Sequence, residues 1–187
     1  MSNKLYLKGF SNFGYHKIKE DDAEKYSVDG ERVKVPSART CSPTDNRTDF
    51  SINADDGVWD SGSDWESTTL EIAVAQMELP TLAELTGATV NEDNSIDEGP
   101  LDNAPSIAPA FAALRADGGY RLYRYYSAKA TNIAISHTTK GESTDAQVYT
   151  ITFKATPRKC DGKIRSTTDV AKGAALTWLD TVTPVGA

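Results

Sequence analysis

The chain has 187 residues, with 20 basic against 27 acidic side chains and 39% hydrophobic residues, enough for one ordinary core with a long arm or loop beside it. An isoelectric point near 4.9 argues against general nucleic-acid binding, which needs a basic footprint. The sequence holds no apolar run of about eighteen residues, the length a membrane span requires, and its start, MSNKLYLKGF, lacks the apolar stretch of a signal peptide, so synthesis in the cytoplasm is expected.

Aromatic and β-branched residues at alternating places predict short strands at Lys4–Lys8 and Phe13–Lys19. Tyr26–Val35 reads as a hairpin, YSV-DGE-RVKV, turning at Asp29-Gly30 and closed by Pro36. Residues 41–66 break into Ser, Thr, Asp, Asn and Gly, with a strand-like Phe50–Asn53 and two tryptophans, Trp59 and Trp65. They are expected to form a long loop. In Thr68–Met77, Leu70, Ile72 and Val74 share one face of a predicted strand. Leu79–Gly87 predicts a short helix, opened near Pro80 and capped by Gly87. An acidic loop is expected around 88–107, densest from Glu92 to Asp102.

Strand character then dominates. Ala108–Ala116 and Tyr120–Tyr126 flank the turn signal Asp117-Gly118-Gly119, and Ala130–Thr139 and Gln147–Thr156 flank Lys140-Gly141-Glu142. Tyr149, Ile151, Phe153 and Ala155 define the apolar face of a half-buried antiparallel strand. Asp169–Leu179 reads as helical, weakened by Gly173. Many short strands, hairpin turns and one brief helix indicate a mainly-β sandwich or partial barrel in a single domain over 1–187.

Residues that could carry chemistry are sparse. Cys41 and Cys160 lie far apart without Cys-x-x-Cys spacing, so two reduced thiols are expected; His16 and His137 are isolated, so no metal or other cofactor is expected. Asp55-Asp56-Gly57, with Asp60 and Asp64, does not match a calcium loop and reads as a turn. Tyr120–Tyr126 mixes arginine with tyrosine as single-strand binders do, but tyrosine is also a strong strand former and packing is the simpler reading. Thr138–Ser143 has Gly-Glu where a phosphate loop has Gly-Lys, and no Gly-x-Ser-x-Gly elbow occurs. No catalytic residue is assigned, and the chain is not expected to be an enzyme.

Charge is divided along the chain. From Thr48 to Leu114 there are fourteen acids and no Lys or Arg, a balance of −14 against +7 for the two ends. Fold does not demand this division. A subunit so divided can dock head-to-tail on its own copies, or turn one sign toward a partner. The alternative is an acidic protein whose basic residues cluster by chance.

Five segments in order carry a family likeness. They are Phe50–Gly57 (FSINADDG), Leu70–Ala73 (LEIA), Leu79–Gly87 (LPTLAELTG), the hairpin from Ala108 through Asp117-Gly118-Gly119 to Tyr126, and Thr139–Glu142 leading into Tyr149–Pro157. They are spread over the central part of the chain, from residue 50 to 157, and this order resembles the major tail proteins of long-tailed, non-contractile bacteriophages. The resemblance implies a tail-tube fold and rings of six subunits stacked along the virion axis. It further implies a channel through which DNA passes without sequence-specific binding, and tape-measure and distal or terminator proteins as partners.

Under that resemblance Phe50, Asp55, Asp56, Trp59 and Trp65 are expected at an interface between subunits; the alternative for the tryptophans is that they cap the local core. A duplex carries one negative charge per about 1.7 Å, so part of the acidic middle segment is expected to face the channel, with lysines and arginines outside or at ring contacts. A distal or terminator ring on the same fold is the near alternative. From other classes, a monomeric carbohydrate-binding β-sandwich using Trp59, Trp65 and the tyrosines as stacking platforms, or a hydrolase, also remain open.

Overall fold

A computed structural model describes residues 5–137 and 148–186. The chain is mainly β, with one nine-stranded antiparallel sheet and a separate two-stranded ribbon. β1 (Leu7–Asp21) and β2 (Tyr26–Lys34) open the fold. β3 (Ala38–Ala54) and β4 (Gly57–Val74) form a long hairpin, followed by α1 (Leu79–Thr86) and the short pair β5 (Thr89–Val90) and β6 (Ile96–Asp97). Then come β7 (Ile107–Arg115), β8 (Tyr120–Tyr125), β9 (Ser127–Ile135), β10 (Tyr149–Thr156), β11 (Arg165–Val170) and the single turn α2 (Thr177–Asp180).

The large sheet changes direction at Tyr126. Before it, β8 pairs with β7 and β11; after it, β9 pairs with β10, and only Ile107↔Ala128 links β7 to β9. A strand that passes from one half-sheet to another makes the corner of a sandwich. One half is β2-β1-β7-β8-β11, the other β9-β10-β4-β3. Leu70, Ile72, Val74, Ile151 and Phe153 from the second half meet Phe13, Tyr15, Phe111 and Tyr125 from the first in one core. Leu82 and Leu85 of α1 close its side.

β7 explains its own sequence. Ile107 to Ala113 is buried without a break because both faces are covered. Ile107 and Phe111 join the main core, while Ala110 and Ala112 lie with Leu122 beneath Leu176, Trp178 and Leu179. The C-terminal stretch is therefore a strap. It is fixed again where Val185 exchanges backbone hydrogen bonds with Tyr26 at 2.9 and 3.0 Å. Under it lie His16, Arg32 and Arg124, all close to Asp180 or the Trp178 carbonyl. Burial pulls all three below their ordinary pKa ranges.

Several expectations need correction. The two N-terminal strands are one, bent rather than ended by a bulge where Asn12 takes φ 55°. Tyr26–Val35 is not a hairpin: β2 runs on through Asp29-Gly30 as a bulge against β1, with Gly30 at φ 61° supplying the left-handed residue. Residues 41–66 are not a loop but the outer part of the β3–β4 hairpin. Asp169–Leu179 is not a helix. The β-branched run of Arg165–Val170 extends along β8, Gly173 at φ 81° ends any helical path, and only Thr177–Asp180 coils.

Other expectations match. α1 ends at Gly87 in the left-handed region, whose N–H caps Ala83 O at 2.8 Å. The β7–β8 hairpin turns at 116–119, and the β9–β10 pair is antiparallel; Lys140-Gly141-Glu142, expected as its turn, lies outside the described residues. Within 88–107 only the small β5–β6 ribbon interrupts irregular chain. Cys41 and Cys160 are free thiols.

A candidate assembly surface

The outer β3–β4 hairpin is a ribbon that leaves the body. Its ladder runs without a third strand from Asn46↔Ser67 to Ala54↔Gly57, because β10 covers β4 only between Thr68 and Val74. Among the described residues, both long edges of this ribbon therefore present unpaired backbone groups. The sequence favours the ribbon locally. Phe50 faces Gly62 across the ladder, and its ring lies where a Gly62 side chain would be. At the tip, Asp55 (φ 47°) and Asp56 (φ 62°) form the two-residue turn between paired Ala54 and Gly57. Two left-handed central residues match the twist of flanking strands, and Asp tolerates that region better than most residues.

The ribbon is acidic and carries apolar side chains into solvent. Asp49, Asp55, Asp56, Asp60, Asp64 and Glu66 lie on it, with no base beyond Arg47. Phe50 is 41% exposed, Ile52 47%, Val58 66% and Trp59 74%. A lone two-stranded ribbon is marginal in water, and open edges with exposed aromatics are features that pairing on another surface satisfies. Ile52 and Val58 were missed by sequence reasoning. The alternation Phe50-Ser51-Ile52 inside a polar stretch was the signal available.

Trp65 has a different role from Trp59. It sits where the ribbon joins the body, half-buried against the main core, and its Nε1 donates to Ser67 O and Thr68 Oγ1 at 3.1 Å each. The guanidiniums of Arg47 and Arg165 lie 5.2 and 4.9 Å from its ring centre. Asp45 completes this base, accepting from Thr68 Oγ1 at 2.7 Å and facing Arg165 at 3.6 Å. Of the five residues expected at an interface, Phe50, Asp55, Asp56 and Trp59 lie together on the ribbon's exposed length, whereas Trp65 anchors its foot.

No protein-family model matches this chain, and no curated protein matches its sequence. The surface must be read from its own chemistry. A second acidic region, Glu92 to Asp102, surrounds the β5–β6 ribbon, while the basic residues belong to the body: Lys8, Lys17, Lys19, Lys34 and Arg39 near the start, Lys154, Lys159, Lys163 and Lys172 near the end. Tyr120–Tyr126 is built for packing. Tyr123 and Tyr125 stack with Phe111 at 5.1 and 6.4 Å, Leu122 is buried under the strap, and Arg121 pairs with Asp169 at 2.7 Å. Among the described residues, no cluster of His, Cys, Asp and Glu has the grouping to hold a metal ion.

Proposed function

We propose that this chain is a structural, non-enzymatic subunit that assembles with its own copies into stacked hexameric rings. These rings form the tail tube of a long-tailed, non-contractile bacteriophage and the conduit for DNA ejection. The observation that carries the reading is the β3–β4 ribbon: an acidic arm with two open edges and an exposed tryptophan, on a body whose basic residues lie elsewhere. Six-fold symmetry, the tape-measure and distal or terminator partners, and a place in the virion after synthesis in the host cytoplasm come from the family resemblance.

Self-assembly gives each unusual feature a use. Pairing with a neighbour satisfies ribbon edges that would otherwise invite aggregation, and a contact between unlike surfaces closes into a ring where its rotation closes and otherwise runs on from copy to copy. The ribbon and the segment 88–107 together carry eleven of the fourteen acids of the middle segment. Acids of this kind lining a channel would repel phosphate and let a duplex slide. The carbohydrate reading is disfavoured because Trp65 is engaged at the ribbon foot and Tyr125 is fully buried.

Electron microscopy of the purified protein at increasing concentration tests the proposal. Long hollow tubes are expected. Isolated rings would move the assignment to a distal or terminator component, and a chain that stays solitary at every concentration and salt would reject it.

A further inference from the structure

A groove lies at the open mouth between the two half-sheets, opposite in chemistry to the ribbon tip. Its floor is aromatic: Phe10 meets Phe111 edge-on at 5.2 Å, and Phe111 stacks with Tyr123 at 5.1 Å. Its rim is basic, formed by Lys8, Arg39 and Arg165, with no acid in the lining. Among the described residues Lys8 and Arg39 have no ion pair, while Arg165 is held by Asp45 at 3.6 Å. The volume of about 660 Å³ falls in the range of clefts that take up a compact apolar group, roughly 300–1,000 Å³.

Resting on the self-assembly reading, we propose that this groove receives the ribbon tip of a second copy, with the Trp59 indole on the aromatic floor and Asp55, Asp56 and Asp60 against the basic rim. The tip has the complementary set: Trp59, the most exposed of the three tryptophans, flanked by three carboxylates and no base. It cannot reach the groove of its own molecule. The groove wall includes Pro43, and Ala54 lies eleven positions further along the same extended strand, which sets the tip about 35 Å away. Groove and tip are different surfaces of one chain, so the contact is head-to-tail and propagates. A buried aromatic anchor ringed by opposite charges is the arrangement in which a few residues dominate an interface.

Crosslinking tests the geometry directly. Ser42 lines the groove and Val58 adjoins Trp59. In a Cys160→Ser background, Ser42→Cys combined with Val58→Cys, oxidised under assembly conditions, is expected to give a ladder of covalent oligomers; either change alone gives no ladder beyond a dimer. The Cys41 thiol, pushed up to about 12 by burial, stays protonated near neutral pH and competes poorly. Trp59→Ala is expected to raise the critical assembly concentration at least tenfold. Arg39→Glu is expected to do the same and to be rescued by Asp56→Lys.

Tubes that form with no ladder and with Trp59→Ala assembling like the parent chain would overturn the proposal and leave the self-assembly reading intact. Absence of a ladder with Ser42→Cys protected from maleimide in tubes would mean that another segment fills the groove, which also overturns it. A parent chain that never assembles removes both.

Discussion

β4 belongs to two environments, and the comparison between its halves is instructive. From Thr68 to Val74 it lies between β3 and β10, and Thr68, Leu70, Ile72 and Val74 are fully buried. From Gly57 to Glu66 the same strand has only β3 beside it and no buried residue. The inner half alternates because its own chain covers one face. The outer half has lost that alternation and keeps its large apolar groups, Val58 and Trp59, near the tip. Apolar surface in the inner half serves folding; in the outer half it is available for contact with something else.

The strongest way to break this comparison is truncation on each side. Ile72→Ala and Phe153→Ala, facing one another's neighbours in the core, should each lower stability by about 2–5 kcal/mol, read by urea unfolding of the unassembled subunit. Trp59→Ala should stay within about 0.5 kcal/mol, as exposed substitutions do. A large loss for Trp59→Ala in the free subunit would mean that the tip is packed on its own body. Next in size is Gly87→Ala. Gly87 sits at φ 80°, and an added Cβ would collide with the backbone carbonyl of Asn103. A loss of about 1–3 kcal/mol is expected, since strain and collision act together; an unchanged midpoint would show that the α1 cap and the 88–107 segment are not tied.

The same contrast explains what was legible in the sequence. Leu70-Ile72-Val74, Ile151-Phe153-Ala155 and the α1 pattern announced the inner elements, because hydrophobic period records packing of a chain on itself. The ribbon's sequence reads as loop because its strand pairing is held by backbone ladder bonds and a turn, and those leave little trace in hydrophobic period. Its composition of Ser, Asp and Gly is what an edge-exposed strand tolerates. The Asp29-Gly30 bulge misled in the opposite way, since a left-handed residue serves a bulge as well as a turn. Phe50, Asp55, Asp56 and Trp59 were legible as a group; the aromatic floor of Phe10, Phe111 and Tyr123 was not, because it joins residues over a hundred positions apart.

A smaller effect separates body from ribbon by pH. Burial holds His16 below its ordinary pKa, with Arg124 and Arg32 pushing the same way and Asp180 opposing. The unfolded chain therefore takes up a proton near pH 6.5 that the folded chain resists, so stability is full above about 6.5 and falls as pH drops toward the folded value. Asp161 and Asp169, held low by Arg158 and Arg121, contribute their losses only below about pH 4. Unfolding between pH 7 and 5 should show the first fall in the parent chain and a flatter curve in His16→Gln. An identical slope in both would remove His16 as the cause.

The smallest effect is expected at Gly62, and it sharpens the contrast with Gly87. An added Cβ would stand 2.6 Å from Phe50 Cζ, closer than the Cβ atoms of real side chains approach. The obstacle here is the far end of a ring on an exposed ribbon rather than a fixed carbonyl, and Gly62 is not in the left-handed region. The ring can swing aside, and an alanine loses less chain entropy than a glycine when the strand forms. Gly62→Ala should therefore leave the stability of the free subunit within about 0.5 kcal/mol, while the displaced Phe50 ring changes the face offered to a neighbour and weakens assembly. Unfolding and sedimentation on the same sample measure both. If assembly were untouched and folding weakened, the Phe50–Gly62 pair would belong to the chain's own stability and not to the surface it presents.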